Sequence, residues 1–299
     1  MRLGPIFYLI YFAYSILLSI YILIYIDAAV KFSRNIFFFL IFWFCFEGVQ
    51  HGFKPDEINL FLKNSSRNYV SSLFLFFSIF FYMTRLNKKR GVPFYPSLIT
   101  IFVSILAYGR TGIILSFFLF FIIIFYRYFN RISTYNFLKF ILVCIIIILI
   151  VFSIYSYIIE NTKLSEGFSS PRFKMNSDYF KELNLKRIVI GYDYRQIDII
   201  SKYNDNPHNS FIKLHYNIGI VLVLFIIFIL YTYIKNLLNF NIKKLTLILF
   251  SLLFLIRAYL DVILFIHMYD FLFFYSLILI NNKSLGVCKT GKENSEKCK

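Results

Sequence analysis

Acidic side chains are scarce in this chain: 15 Asp and Glu stand against 32 Lys and Arg in 299 residues, and charged residues of both signs make up only 16%. Soluble domains carry about 25%. With 59% hydrophobic residues and a mean hydropathy of +0.70, the composition excludes a soluble domain. Cysteine is equally sparse. Cys45 and Cys144 lie in apolar runs and Cys288 and Cys298 in a basic tail, which matches neither a disulfide framework nor a zinc ligand set. Of the four histidines, His208 and His215 are seven apart with no carboxylate pair beside them, so metal-ligand spacing is missing too. There is no Gly-rich phosphate loop and no nucleophile elbow. A short apolar segment followed by a small-residue cleavage site, the mark of a cleavable signal peptide, is also missing. The net charge of +17 is not gathered into a basic patch with interleaved aromatics on a soluble module, which argues against nucleic acid as a partner.

What the chain has instead is long apolar runs, several near the ~20 residues that cross a bilayer. We expect an all-α polytopic membrane protein of about nine transmembrane helices. Spans one to three cover Pro5 to Ile26, Asn35 to Val49 and Tyr69 to Thr84. Spans four and five, Pro93 to Tyr108 and Thr111 to Tyr126, are separated only by Gly109 and Arg110. Span six is Phe140 to Ile159 and span seven is Asn209 to Ile234. The last apolar block, Leu245 to Ile280, is too long for one helix and reads as spans eight and nine with a turn near Ile266. The abundant Phe and Tyr read as lipid-facing and packing residues.

The connections at residues 31–34, 85–90, 127–139 and 235–244 and the tail at 281–299 are basic and acid-poor, and they alternate with all the others. The positive-inside rule puts them in the cytoplasm, which places the N-terminus outside. A missing initial span would account for that less usual orientation. The polar stretch 160–208 then becomes one long extracytoplasmic loop, with eight Lys or Arg against seven Asp or Glu, as a translocated segment should have. Residues 1–280 read as a single transmembrane domain that includes this loop, and 281–299 as a basic cytoplasmic tail.

This topology collects costly polar residues on the outer side. Arg110 sits at the turn between spans four and five, Arg172 early in the loop, and His208 at the start of span seven. Arg257 lies about thirteen residues beyond Lys244, or ~20 Å along a helix, with Asp261 one turn above it. Ionisable residues in a membrane are functional candidates by default. Each has a plainer reading as well. Arg110 could cap two helices and snorkel, and Arg172 could be a solvated loop charge. Arg257 and Asp261, spaced i,i+4, could simply neutralise each other. For His208, Asn206 as N-cap and Pro207 at the first helical position predict a place in the first turn of span seven. There the positive helix end would favour neutral imidazole, as a general base requires, or hold an anion such as a diphosphate.

Several stretches resemble the superfamily of O-antigen polymerases and ligases, bacterial membrane glycosyltransferases. Leu106-Ala107-Tyr108-Gly109-Arg110-Thr111-Gly112 is similar to the family's small-Ser-Arg-Thr-Gly turn. Ser170-Pro171-Arg172 and Ile190-Gly191-Tyr192-Asp193 resemble its loop segments. Pro207-His208-Asn209-Ser210-Phe211 with Asn217-Ile218-Gly219-Ile220 resembles its His-Asn-Ser and Gly-Ile span. The likeness covers about half the chain. It departs at Gly109, where Ser is usual, at Asp193, where a second glycine is usual, and in length, which is short for the family.

The resemblance implies a GT-C-like, metal-independent, inverting glycosyltransferase in the bacterial cytoplasmic (inner) membrane, multi-pass, with its active site on the extracytoplasmic face. Its substrate would be a polyprenyl diphosphate-linked oligosaccharide, with no cofactor. Its other partners would be the lipid bilayer, a flippase and a chain-length regulator. The expected product is an O-antigen, a capsule or an exopolysaccharide. An O-antigen ligase or a flippase of lipid-linked glycans is the alternative. By position, His208 would be the catalytic base, and Arg110 and Arg172 the diphosphate ligands, joined as substrate-binding residues by Arg257, Asn209 and Asp261.

Overall fold

The computed structural model describes residues 5–63, 65–129, 171–238 and 241–282, and all regular structure among them is helical. The expected span six and the tail beyond residue 282 lie outside the described residues. Helices α1 (Pro5–Ile24) and α2 (Ile26–His51) are followed by a single turn, α3 (Pro55–Ile58), and by α4 (Arg67–Asn87). Then come α5 (Tyr95–Leu106) and α6 (Arg110–Phe129). The polar loop holds α7 (Pro171–Lys181), α8 (Leu185–Ile190), a 3₁₀ turn at Tyr194–Gln196 and α9 (Asp198–Ser201). The chain continues with α10 (Ser210–Ile218), α11 (Ile220–Leu238), α12 (Ile242–Leu260) and α13 (Asp270–Asn281). Five of these, α1, α2, α4, α6 and α11, are long and apolar enough to cross a bilayer.

The most buried of these five is α4, whose Phe74, Phe76 and Phe80 are fully enclosed. Helix α2 runs antiparallel to it. Lys88 pairs with Asp27 at 2.8 Å at one end, and the Phe44 and Phe74 rings meet at 5.7 Å further along. Helix α5 is antiparallel as well, with Ser78 and Thr100 hydroxyls 2.7 Å apart and Ser97 N donating to the Tyr82 hydroxyl at 2.9 Å. Helix α6 returns beside α4, so close that a Cβ at Gly112 would collide with Ser71. Helix α12 brings Arg257 to Ser72 near the Arg67 end of α4, and Tyr275 of α13 accepts from Asn87 near the other. The bundle thus has an Arg67 end, which carries the polar loop. Its Asn87 end gathers Arg85, Lys88, Arg127 and Lys244.

Three helix boundaries differ from expectation. The connection at 31–34 shrinks to Tyr25 alone, and Lys31 and Arg34 are exposed residues within α2. A helix keeps its hydrogen bonds through exposed basic residues, so charge does not end it. Span seven is broken at Gly219 into α10 and α11. Gly219 has φ +52°, and a Cβ there would collide with the Val189 carbonyl of α8. Span nine begins as irregular chain. After α12 ends at Leu260, residues 261–269 descend without helix, and α13 starts only at Asp270. Tyr269 meets Phe76 edge to face with ring centroids 4.7 Å apart, about 14 Å along α4 from Arg67.

Irregular backbone shut away from water needs protein partners for its N–H groups, and here it has them. The Asp270 carboxylate accepts from the N–H of Phe265 (2.7 Å), Ile266 (2.7 Å) and His267 (3.2 Å). Ser210 Oγ donates to Asp261 O and accepts from Ile263 N and Leu264 N. These bonds hold Phe265 and Ile266 at φ +63° and +78°, a region costly for a β-branched residue.

Candidate functional site

The site begins with how the loop folds. Met175, Tyr179, Tyr192, Tyr194, Ile197 and Ile200 form a small apolar core of their own, closed by Ile212 and Tyr216 of α10. His215 sits at its edge. Its Nε2 lies 3.0 Å from the Ile188 carbonyl, which can only accept, so Nε2 carries the proton and Nδ1 accepts from the Tyr179 hydroxyl at 2.6 Å. Burial lowers the pKa of this ring below the usual histidine value, and burial also raises that of the Tyr179 phenol. Asp193, where the resembling family has a second glycine, forms a two-pronged pair with Arg195 at 2.8 and 2.6 Å, which holds its carboxyl below the usual range. Gly191 has φ +89°, and a Cβ there would strike the His215 carbonyl. Gly191 and Gly219 therefore let α8 lie backbone to backbone on the junction of α10 and α11.

This docking delivers Arg172, from the first turn of α7, to the Arg67 end of the bundle. A cavity of about 280 Å³ opens there, and its wall includes Arg67, Arg110, Arg172, His208 and Tyr203. Arg110 is the first residue of α6, set beside α4 by the Gly112–Ser71 approach. A side chain at Gly109 would crowd Asn68 Oδ1, at 2.8 Å from a Cβ, which is a physical reason for glycine where the family has Ser. Among the described residues the wall carries three guanidinium groups, one imidazole and no carboxylate. Such a wall attracts an anion of several charges. Arginine forks match phosphate oxygens in particular.

Behind the wall lies one carboxylate. Asp261, 3% exposed, places Oδ2 3.4 Å from Arg257 Nη2 and 3.9 Å from Arg172 Nη2. Its Oδ1 lies 3.5 Å from His208 Nδ1 and also accepts from Val262 N at 3.0 Å. Arg172 is further steadied by donating to the Leu260 carbonyl at 2.8 Å. Arg257, 1% exposed, donates to Ser72 Oγ at 2.7 Å and to the Asn68 carbonyl at 3.2 Å.

The structure thus sorts the expected site residues. Arg110, Arg172 and His208, about a hundred residues apart at the extremes, share one cavity. Arg257 and Asp261 lie behind that wall, and the i,i+4 pairing expected between them is present. Asn209 is fully buried and serves as the N-cap of α10, accepting from Phe211 N and Ile212 N while its amide donates to Asn176. That corrects the expected helix start. Asn206 caps nothing but the His208 N–H, at 2.9 Å, and His208 stands before the helix with φ +46°. His208 therefore lies outside the first helical turn, and the charged group beside its ring is Asp261, with Oδ1 3.5 Å from Nδ1. Arg67 was not singled out in the sequence, because a basic residue in a connection rich in charge gives no signal. Tyr108 also joins the wall with a left-handed backbone, φ +48°, and such strain in a non-glycine residue clusters at functional sites.

Among the described residues, no group of three His, Cys, Asp or Glu could hold a metal ion. No family model, curated protein or solved structure matches the chain.

Proposed function

We propose that the protein is a polymerase of lipid-linked oligosaccharide repeat units. It transfers a glycan from polyprenyl diphosphate to a hydroxyl of an acceptor glycan on the outer face of a bacterial cytoplasmic membrane. In this reading the basic Asn87 end faces the cytoplasm and the cavity opens outward. The observation that carries the proposal is the cavity wall, on which Arg67, Arg110 and Arg172 face the same space as His208. Their chemistry fits the reaction. The arginines bind the donor diphosphate and stabilise the charge that grows on it as it leaves. His208 takes the proton of the acceptor hydroxyl. The acceptor oxygen bonds to the anomeric carbon, and the bond from that carbon to the diphosphate oxygen breaks with its electron pair. In-line attack inverts the anomeric centre. The diphosphate is already an activated leaving group, so no nucleotide is required. A ligase would use the same machinery with a lipid acceptor.

One observation favours a second reading, a flippase for the same donor. The irregular segment at 261–269 and the break at Gly219 interrupt two spans, and interrupted helices are a mark of transporters. One experiment separates the two. Purified protein in lipid vesicles is given lipid-linked glycan extracted from the source cells. The polymerase lengthens the glycan, and Arg110→Lys and Arg172→Lys lose most of that activity, because lysine keeps the charge but not the fork. Normal polymer from both variants would overturn the proposal. Movement of intact donor across the vesicle with no new glycosidic bond would favour the flippase.

A further inference from the structure

We infer that Asp261 is the positioning residue of the base: it holds His208 in the tautomer with the proton on Nδ1, so that Nε2 is bare toward the cavity. The inference rests on the role of His208 as base and adds to it the residue that makes the ring competent. Four observations carry it. First, His208 Nδ1 is buried and makes no hydrogen bond, while the Asp261 carboxylate brings Oδ1 to 3.5 Å from it. Second, the rest of the ring is partly exposed, with side-chain exposure of 23%, and forms cavity wall. A proton on Nδ1 therefore has a carboxylate within 3.5 Å to face, which leaves Nε2 as the nitrogen with the lone pair. Third, Asp261 is itself held in place. Val262 N donates to Oδ1, and the Ser210 hydroxyl donates to its main-chain carbonyl at 2.8 Å. Fourth, the left-handed backbone of His208, fixed by the bond from its N–H to Asn206 Oδ1, turns the ring toward Asp261 and away from α10.

The tautomer of a histidine is decided by the bond its second nitrogen makes. Without Asp261, nothing at Nδ1 favours the proton there. The arrangement also links donor and base. Asp261 Oδ2 is shared with Arg172 and Arg257. An anion that draws Arg172 toward the cavity leaves more of the carboxylate's charge to His208, so the base is most firmly oriented when the donor is bound.

The test reads the tautomer directly. Protein labelled with ¹⁵N-histidine is reconstituted in lipid nanodiscs, and the ring nitrogens are recorded at a pH where the rings are neutral. The His208 signal is identified by its loss in His208→Ala. In the wild type we expect the proton on Nδ1. In Asp261→Asn it should move to Nε2, with the fold intact and turnover of extracted lipid-linked glycan down by up to about 10⁴-fold, the loss seen in hydrolytic triads when the amide imposes the wrong tautomer. Adding inorganic pyrophosphate to the wild type should sharpen the Nδ1–H signal. A proton on Nε2 in the wild type would overturn the inference, and this holds even if Asp261→Asn fails to fold. An unchanged tautomer in Asp261→Asn would overturn it as well. Full turnover in His208→Ala is a separate outcome: it removes the base itself, whatever the tautomer.

Discussion

The two ends of the bundle use charge in opposite ways. At the Asn87 end, charged side chains are exposed and loosely partnered: Lys88 meets Asp27 with both in contact with solvent, and Arg127 lies 4.1 Å over the Phe94 ring. At the Arg67 end, Arg257 and Asp261 are buried, Arg172 and His208 are half-buried, and two guanidinium groups and one imidazole surround one carboxylate. Exposed charges at a membrane edge need only reach water, and individually they contribute little to stability. Buried ones must be paired and hydrogen-bonded, so each depends on its neighbours. The first kind tolerates replacement. The second kind builds a site.

The largest effect that could break this comparison is all-or-none. With cysteines introduced one at a time at Lys88 and Asn184, a reagent that cannot cross membranes should label position 184 in intact cells and position 88 only after permeabilisation. The reverse pattern would place the cavity in the cytoplasm and end the proposed function. Next in size is His208→Ala, which should lose about 10²–10⁴-fold in turnover, the usual contribution of a general base. Insertion and pyrophosphate binding should survive, since α10 is capped by Asn209 and the arginines are untouched.

Arg257→Leu should come third. It leaves Asp261 with a buried charge less well compensated, and loss of one partner of a buried pair costs about 3–5 kcal/mol. Chemical unfolding in micelles measures it, and wild-type stability would mean that the buried pair adds nothing. A smaller effect belongs to His215. Its ring is neutral in the folded loop because burial lowers its pKa, whereas the unfolded ring titrates near 6.5. The stability it contributes is complete above that pH and is lost as the pH falls below it. The melting temperature should therefore decline between about pH 7 and 5, and less steeply in His215→Gln. The smallest effect is at the other end, where Lys88→Ala should leave the melting temperature within the scatter of the measurement.

His208 and His215 show how much of the site could be read in advance. Seven residues apart in one polar-to-apolar junction, they look alike in the sequence. His208 drew attention through the Asn-Pro before it and the His-Asn-Ser it belongs to, and it does line the cavity. The helix starts three residues later than the Asn206-Pro207 pair predicts, because Asn209 caps more effectively than Asn206 once Asn176 and α7 are packed beside it. That His215 is a structural pin rested on Tyr179 and the Ile188 carbonyl, 36 and 27 residues away, which no local pattern announces.

The sequence by itself determined the helical, membrane-embedded class, because bilayer thickness and backbone hydrogen bonding leave few options for long apolar runs. The tertiary structure alone decided the rest. It broke two spans, because Gly219 meets a backbone from the loop and Asp270 satisfies a turn of irregular chain. It added Arg67 to the wall, buried Asn209, and placed Asp261 among Arg172, Arg257 and His208. These are contacts between residues far apart in the chain, and their energies exist only once the helices have packed.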